Sequence, residues 1–289
     1  MLKALIKAMR PRQWTKNGFL FFALIFDKQL FSPAPFLRTL EGFFLFCLIS
    51  CAVYLFNDIT DMEADRQHPE KKHRPIASGR LPVRVAMTTA MLLVAIALPL
   101  GFLLAPAFAL IMAVYFVINL LYSRWLKHVP ILDVLIVSTG FVLRVAAGVA
   151  LITVERFSPW LYMITILFSL YIGLGKRRAE MELLAHAAGS HRKVLDGYTI
   201  PLLDQYITIV SGTTIVAYSL YTFSAPNLPE NHSMMLTIPF VVYGIFRYLQ
   251  LIQTGHAAGA PDEVALKDRP LQITVLLWCL AVIAVFYLS

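Results

Sequence analysis

Long runs of apolar residues recur along the whole chain, separated by shorter polar stretches. A helix needs about 20 mostly apolar residues to cross a bilayer core of roughly 30 Å. Nine runs approach this length: residues 18–31, 40–56, 83–104, 107–122, 131–152, 159–174, 206–223, 235–252 and 271–288. Prolines lie at most of the joints between runs, where helices are expected to begin or end. The pattern predicts an all-α integral membrane protein with nine transmembrane helices.

The first run is the shortest, and we expect it to extend back through Gln13 to Trp14, whose indole suits the membrane interface. The basic, amphipathic segment before it is not followed by a convincing cleavage site of small residues. We therefore expect no removed signal peptide, and the first span to remain in the protein.

Composition agrees with a membrane protein, since 58% of the residues are hydrophobic and 15% are charged. No polar stretch is long enough to form a separate domain, so we predict one membrane domain over residues 1–289. The net charge of +8 does not require a nucleic-acid partner, because excess Lys and Arg in a membrane protein first set its topology.

The distribution of Lys and Arg predicts the orientation. With the N-terminus in the cytoplasm, only Lys28, Arg38 and Arg156 fall outside. The long charged connections then gather on the cytoplasmic face, at residues 57–80, 176–201 and 253–270. We predict a multi-pass protein of the plasma membrane whose active site opens to the cytoplasm.

The three cysteines, Cys47, Cys51 and Cys279, all lie within apolar runs. Their spacing does not indicate a disulfide or zinc framework. We interpret them as small packing residues.

Three acids stand out in the first charged segment, which reads NDITDMEADRQHPEKKHRPIASG. On a helix, Asp58, Asp61 and Asp65 would lie in one narrow stripe. Like charges this close repel one another unless a cation lies among them. Mg²⁺ is a suitable cation, because it takes oxygen ligands and usually keeps waters and substrate phosphates in its shell. We predict a Mg²⁺ site formed by these three carboxylates, with Asn57 as a further ligand.

Basic residues follow the acids, including Lys71 and Arg74. A metal held by carboxylates beside a basic segment suits a phosphorylated or pyrophosphorylated substrate. The alternative is a solvated, positively charged loop between two spans. That alternative accounts for the cations but not for three acids in register.

A second charged segment, GLGKRRAEMELLAHAAGSHRK, follows the sixth run. Lys176 and Glu180 are one helical turn apart, as are Arg178 and Glu182, so these residues can simply form ion pairs at the end of a span. Alternatively the cations bind phosphate oxygens, with Glu180 contacting a metal or a ribose. Three adjacent cations on a helix point in three directions, so at most two can address one ligand.

Arg144 lies in the middle of the fifth run, where a charge costs several kcal/mol unless it is paired or faces a polar cavity. Asp133 is on the same helix face but about 16 Å away, too far for a direct pair. Either both residues line a polar cleft, with Arg144 a partner for phosphate or carboxylate, or Arg144 forms a structural pair with another helix. Weaker polar signals lie at helix ends, at Tyr122, Ser123, Lys127, Asp268 and Arg269.

The pattern NDxxDxxxD at residues 57–65, followed by HPxKxxRPIASG at 68–79, resembles the first aspartate-rich motif of the UbiA superfamily of intramembrane prenyltransferases. The resemblance covers almost the whole chain. It implies nine transmembrane helices around a central cavity, with the motif-bearing loops on the cytoplasmic side.

Most members carry a second aspartate-rich motif after the sixth span, where this chain has GKRRAE. That segment, with RPRQWTKN, YSRWLKHVPILDV, FVLRVAAG and LKDRPLQITVLLW, is similar to the branch that acts on polyprenyl phosphates. The resemblance implies transfer of 5-phosphoribose from phosphoribosyl pyrophosphate to a polyprenyl (decaprenyl) phosphate, for an arabinan-type cell-wall precursor. It leaves the lipid chain length and the oligomeric state open.

The resemblance also implies roles for the residues. Asp58, Asp61 and Asp65 would hold Mg²⁺ on the pyrophosphate leaving group, while Lys176 and Arg177 bind the remaining phosphates. A phosphate oxygen of the lipid would then attack C1 of the ribose with inversion, beside Lys16, Lys127 or Arg144. The predicted substrate ligands are Lys16, Asn17, Asn57, Lys71, Arg74, Tyr122, Lys127, Arg144, Lys176, Arg177 and Glu180.

Two other functions fit part of the pattern. A UbiA-type prenyltransferase moving an isoprenyl group from its diphosphate to an aromatic or lipid acceptor would share the first motif. A transporter could use Arg144 and Asp133 to line a permeation path, but the outer connections offer few polar groups to receive a solute.

Overall fold

The computed structural model describes residues 1–68, 71–154, 159–186, 193–225, 228–254 and 268–288. Its α-helices are α1 (Leu2–Met9), α2 (Phe22–Phe26), α3 (Pro33–Thr60), α4 (Met62–Gln67), α5 (Val83–Leu104), α6 (Pro106–Arg124), α7 (Leu132–Val149), α8 (Pro159–His186), α9 (Ile200–Ser224), α10 (Ile238–Gln253) and α11 (Arg269–Leu288). Its 3₁₀ helices are Pro11–Phe21, Lys71–His73, Leu126–His128, Lys193–Gly197 and Ser233–Thr237. These ranges contain no β-strand, so the all-α prediction is confirmed.

Some residues used to predict the topology lie outside the described ranges. They are Arg156 and parts of the three charged connections, at residues 69–70, 187–192 and 255–267.

Eight helical segments are long and apolar enough to cross a membrane, and they coincide with the second to ninth predicted runs. Several of these helices begin at prolines that lie at the joints between the apolar runs, as expected. Pro33 and Pro106 lie in the first turns of α3 and α6, and α8 starts at Pro159. Proline suits this position because its fixed φ is helical and its missing N–H would have no partner within the helix. A multi-pass membrane protein is therefore established.

The first predicted run is not a single α-helix. A 3₁₀ helix, Pro11–Phe21, continues directly into α2, so the helical path starts before Trp14, as expected. The Trp14 indole Nε1 donates to the sulfur of Cys51 at 3.3 Å. This contact ties the front of the path to the second half of α3.

Further contacts show that the path runs antiparallel to α3. The Asn17 amide Nδ2 donates to the sulfur of Cys47 at 3.1 Å, and the Phe21 ring centroid lies 5.8 Å from that of Phe43. All three cysteines are free thiols, and Cys47 and Cys51 are buried and accept hydrogen bonds, as expected for packing residues. Residues 11–21 therefore follow α3 from near its end towards its start.

The chain forms two compact units, each described here by itself. The first unit comprises Met1–Ile25, Gln29–Ile136 and Leu143–Val154, and the second contains α8 to α11 with Phe26–Lys28 and Val137–Val142. In the first unit α3 is the central helix, because 56% of its most apolar window is buried, against 17% for α5. Its core contains fully buried side chains from several helices, among them Phe46, Ile49, Phe108, Met112 and Leu151.

A close backbone approach fixes the end of α7 in this unit. A Cβ built on Gly148 would overlap the backbone carbonyl oxygen of Leu20. Backbone atoms cannot move aside as a flexible side chain can, so only glycine fits here without a shift of one segment.

We expect Gly148→Ala to destabilise the protein by about 1–3 kcal/mol, the usual cost of overpacking. The measurement is the thermal unfolding midpoint in detergent. Gly212→Ala in α9 is the matched control, because no atom lies within 4 Å of the added methyl group. Equal midpoints for the two variants would contradict the close approach.

Candidate active site

The acidic segment is not one continuous helix. Helix α3 ends at Thr60, and Asp61 has φ −90° and ψ 1° before α4 begins at Met62. One residue, Asp61, separates the two helices, and the backbone N–H groups of Asp61 and Asp65 still donate to the carbonyl oxygens four residues earlier, at 2.9 and 2.8 Å. The three acids were predicted on one unbroken helix, whereas the structure places Asp58 on α3, Asp61 between the helices and Asp65 on α4.

Asp58 and Asp65 nevertheless meet, at the guanidinium of Arg74. Nη1 of Arg74 donates to Oδ2 of Asp65 at 2.7 Å and to Oδ1 of Asp58 at 3.2 Å. Asp58 is 2% exposed and Asp65 is 4% exposed. Arg10 also forms an ion pair with Asp58. Two buried carboxylates thus share one cation, and one of them has a second.

Asp61 belongs to a different network. Its Oδ2 accepts a hydrogen bond from the Asn57 side-chain Nδ2 at 3.2 Å, and the Ser123 hydroxyl donates to Asn57 Oδ1 at 3.0 Å. Lys127, from the 3₁₀ helix after α6, forms an ion pair with Asp61. The structure thereby brings three predicted site residues, Asn57, Asp61 and Lys127, into one chain of contacts.

The loop after Arg74 holds that guanidinium in place. Ile76 is 1% exposed and packs in a core cluster with α3 and α5. Arg66 Nε donates to the Ala77 carbonyl oxygen at 3.2 Å. Gly79 has φ +74°, a conformation that costs glycine little and other residues more. The packing and hydrogen bonding of the RPIASG segment therefore hold Arg74 in position beside the carboxylates.

Arg10 is a site residue that the sequence did not reveal, since its charge was assigned only to topology. It has φ 52° and ψ 62°, the left-handed region that is uncommon for residues other than glycine. The turn separates α1 from the 3₁₀ helix, and the Arg10 guanidinium lies 5.1 Å from the centroid of the Tyr54 ring. The only local signal was a basic residue directly before a proline at the end of an amphipathic segment.

A cavity of about 240 Å³ opens beside these residues. Its lining consists of Lys7, Arg10, Asp58, His73, Arg74 and Pro75. Four of the six side chains are basic in type, so the cavity is suited to an anion.

Within the described part of the chain, no group of three or more His, Cys, Asp or Glu side chains is arranged to hold a metal. The donor set still fits a divalent cation of the magnesium type, because Asp58, Asp61, Asp65 and Asn57 offer only oxygen acceptors in one short stretch. The Arg74 guanidinium between two carboxylates marks a place where a shared positive charge is stabilised. A metal bound there would compete with Arg10 and Arg74 for the same oxygens.

Arg144 and Asn17 are placed together in the core of the first unit. Arg144 is 4% exposed, and its Nε donates to the side-chain Oδ1 of Asn17 at 2.8 Å. Its Nη2 donates to the Tyr115 hydroxyl at 2.9 Å, and the guanidinium lies 4.8 Å from the Tyr115 ring centroid. These contacts favour the structural alternative, in which Arg144 joins neighbouring segments.

Other predicted ligands in the first unit are less deeply placed. Lys16, Lys71 and Tyr122 are half-buried, on the first 3₁₀ helix, the loop after α4 and the last turn of α6. Asp133, on α7, is fully buried.

In the second unit, Arg178 joins three helices. Its Nε donates to Oδ1 of Asp204 at 2.6 Å, and its Nη2 donates to the Gln253 side-chain oxygen at 2.9 Å. It also pairs with Glu182 at 3.1 Å, one turn along α8, as the spacing predicted. Arg177 and Arg178 are both buried, at 5% and 6% exposed, but it is the contacts with α9 and α10 that make Arg178 a structural residue.

Arg177, the neighbour of Arg178, has an ion-pair partner on its own helix. Arg177 pairs with Glu180 at 2.8 Å, so Glu180 contacts Arg177 as well as lying one turn from Lys176. A role for these three residues towards phosphate, metal or ribose stays a prediction from the sequence.

Asp268 has a clear structural role, although the sequence assigned it none. It pairs with Arg247 through both carboxylate oxygens, at 3.2 and 2.8 Å, and accepts a hydrogen bond from the Leu271 backbone N–H at 2.9 Å at the start of α11. The Arg247 hydrogen bond lowers the pKa of the Asp268 carboxyl. Its contribution to stability is therefore retained until the pH falls through that lowered pKa.

The fold and the site together define a class: a helical, multi-pass membrane protein with buried carboxylates and guanidinium groups clustered at the end of its central helix. The model of the UbiA prenyltransferase family matches residues 18–265. The chain belongs to this family.

Individual relatives and solved structures agree with the match. The chain is 35% identical to the decaprenyl-phosphate phosphoribosyltransferase of Corynebacterium glutamicum, over 98% of this chain and 87% of the relative. It is 36% identical to that of Mycolicibacterium smegmatis, over 100% and 94%. A UbiA homolog from Archaeoglobus fulgidus, solved with GPP and Mg²⁺, superimposes with a TM-score of 0.75 at 19% identity, covering 98% of this chain and 99% of that one. The last likeness establishes the shared fold.

Arg178→Met should destabilise the second unit, because the buried guanidinium donates to Asp204 and Gln253 on two neighbouring helices. The Asp204 side chain is 35% exposed and can be solvated after the change, so we expect a loss of about 1.5–3 kcal/mol, the usual contribution of a hydrogen bond to a charged group. The thermal unfolding midpoint should fall clearly below that of Arg124→Met, a control whose arginine is exposed at the end of α6. A midpoint equal to that control would show that Arg178 is not needed to join α8, α9 and α10.

Proposed function

We propose that this protein transfers 5-phosphoribose from phosphoribosyl pyrophosphate to a polyprenyl phosphate, releasing pyrophosphate. The observation that carries the proposal is 35–36% identity, over nearly the whole chain, to relatives named decaprenyl-phosphate phosphoribosyltransferase. The GKRRAE segment supports the same choice over transfer of an isoprenyl group, because more phosphate in the substrates calls for more fixed positive charge.

Nine crossings are proposed, because the first helical path covers the length of α3. Arg10 pairs with Asp58 at one end, and the Phe21 ring lies 6.0 Å from the Phe36 ring near the other. At 1.5 Å per residue, positions 36 and 58 lie about 33 Å apart, close to the thickness of a bilayer core. Added to the eight candidate spans, this path makes nine.

The active site is proposed to open to the cytoplasm of the cell, in a plasma-membrane protein with a cytoplasmic N-terminus. The support is the Lys and Arg asymmetry, since most of these residues flank the same ends of the spans as the acidic motif. Residues 1–289 are treated as one membrane domain, which is consistent with a family match that extends into both compact units.

The carboxylates are proposed to hold a divalent metal, with Mg²⁺ as the expected ion. Asp58, Asp61 and Asp65 would bind it, with the Asn57 amide holding Asp61 in position. When bound, the metal would neutralise charge on the pyrophosphate leaving group. Arg74 would then exchange a carboxylate for phosphate oxygens, which guanidinium groups bind well.

The lipid phosphate is proposed to be the nucleophile. A phosphate oxygen attacks C1 of the ribose, the bond from C1 to pyrophosphate breaks, and the configuration inverts. Because this oxygen is already anionic, the protein needs no strong general base. Its work is positioning and charge neutralisation. Of the candidates for the acceptor phosphate, Lys127 lies in the acid site, whereas Arg144 is engaged with Asn17 and Tyr115.

Purified protein in nanodiscs would test the reaction directly. It would be given phosphoribosyl pyrophosphate labelled in the ribose, decaprenyl phosphate and Mg²⁺, with EDTA as control. Label in the lipid fraction, equal in amount to the pyrophosphate released, is expected only with metal. Turnover confined to an isoprenyl diphosphate and an aromatic acceptor would show an ordinary prenyltransferase instead. The product is expected to be used in the synthesis of an arabinan-type cell-wall precursor.

Asp58→Asn should abolish metal-dependent transfer, at least a hundredfold, without unfolding the protein. The amide keeps the shape of the side chain but removes the charge that binds the metal. Transfer rate and thermal midpoint should be measured together. A folded variant with ordinary activity would rule out Asp58 as a metal ligand.

A further inference from the structure

We propose that the cavity between the end of α1 and the loop after α4 binds the 5-phosphate of the sugar donor, with Lys7 and His73 as ligands. The inference rests on the proposed function and extends it to residues with no assigned role. Lys7 and His73 line this cavity with Arg10, Arg74, Asp58 and Pro75.

The charge of the cavity suits a phosphate monoester. Lys7, Arg10 and Arg74 are cations, and Asp58 is the only acid in the lining. Asp65 also pairs with Arg74, at 2.7 Å, so with His73 neutral three cations face two acids and the formal excess is one positive charge. A phosphate monoester carries about −1.5 to −2 at pH 7. The lining would therefore neutralise a large part of the charge of the group that enters.

The lining also indicates a water-soluble ligand. Pro75 is the sole apolar residue among the six that line the cavity. A polyprenyl chain needs a continuous apolar surface, which these side chains do not offer. The phosphate of the donor therefore fits better than the phosphate of the lipid.

Helix α1 and the loop after α4, which together line the cavity, pack on the same buried cluster. Ala8, next to Lys7, is 1% exposed and belongs to the same buried cluster as Ile76, two residues after Arg74. Packing of α1 on this cluster sets the distance between Lys7 and the loop. A site held in this way can bind a phosphate without first ordering its ligands.

His73 and Arg10 are held from the backbone as well. Arg80 donates to the His73 carbonyl oxygen, which fixes the loop at that residue. The left-handed turn at Arg10 directs its side chain to Asp58. If Asp58 held a metal, Arg10 would lose this partner and could contact phosphate instead, so metal binding and phosphate binding would support each other.

Equilibrium binding of ribose 5-phosphate to the full chain in nanodiscs, with and without Mg²⁺, is the first test. Lys7→Gln and His73→Ala should each weaken binding about tenfold, the usual effect of losing one hydrogen bond to a charged group. Lys3→Gln is the matched control, because Lys3 is exposed one turn earlier on α1 and is not part of the lining. Inorganic pyrophosphate and unphosphorylated ribose serve as comparison ligands.

In the transfer assay, Lys7→Gln should raise the KM for phosphoribosyl pyrophosphate about tenfold, by the same loss of one charged contact. The kcat and the KM for decaprenyl phosphate should not change. The thermal midpoint should match that of Lys3→Gln, since both lysines are exposed.

Several results would overturn the inference. In one, Lys7→Gln binds ribose 5-phosphate as tightly as Lys3→Gln does. In a second, only the KM for the lipid rises, which would assign the cavity to the acceptor phosphate. In a third, pyrophosphate binding falls while ribose 5-phosphate binding does not. In a fourth, the loss appears with Lys176→Gln instead, which would place the 5-phosphate at α8.

The proposed function can fail separately. Wild-type protein that binds ribose 5-phosphate through Lys7 but transfers no phosphoribose would refute the reaction and keep the phosphate site. If the wild-type protein transfers phosphoribose but Lys7→Gln changes neither the binding of ribose 5-phosphate nor the KM for phosphoribosyl pyrophosphate, the reaction would stand and the phosphate site would be refuted.

Discussion

The contact between Arg74 and the two buried carboxylates, Asp58 and Asp65, is the interaction on which the site depends. Two acids shielded from water would repel each other strongly at the edge of a membrane, and one guanidinium satisfies both. That arrangement needs a rigid loop, which Ile76 and the Arg66 contact to Ala77 supply. The same cluster of buried residues receives α1, so the acids, the loop and the N-terminal helix form one structure.

The apolar runs were sufficient to predict eight of the spans, because each is an uninterrupted stretch of helix-length hydrophobicity ending at a proline or a polar joint. The sequence singled out the acids by their charge and spacing, and the structure joins Asp58 and Asp65 through Arg74. The pattern could not show that α3 ends at Thr60 and that Asp61 has its own partners, Asn57 and Lys127. Periodicity describes residues within one helix and does not reveal where that helix stops.

The sequence also could not predict which residues distant in the chain contact one another. Arg10 lies 48 residues from Asp58, and Asn17 lies 127 residues from Arg144. No spacing rule joins such positions, since the fold alone brings them together. For the same reason the spacing could show the pair of Arg178 with Glu182 but not its contacts with Asp204 and Gln253 on other helices. The sequence is informative about chemical type, and the fold decides which charges are used for stability.

The order in which the partners of Asp58 are synthesised follows from their positions in the chain. Arg10 precedes Asp58 by 48 residues, and Arg74 follows it by 16. At roughly 5–20 residues per second, a ribosome adds Arg74 within a few seconds of Asp58. Of the two cations that pair with Asp58, Arg10 is therefore already part of the chain when Asp58 is added, and Arg74 is still to come.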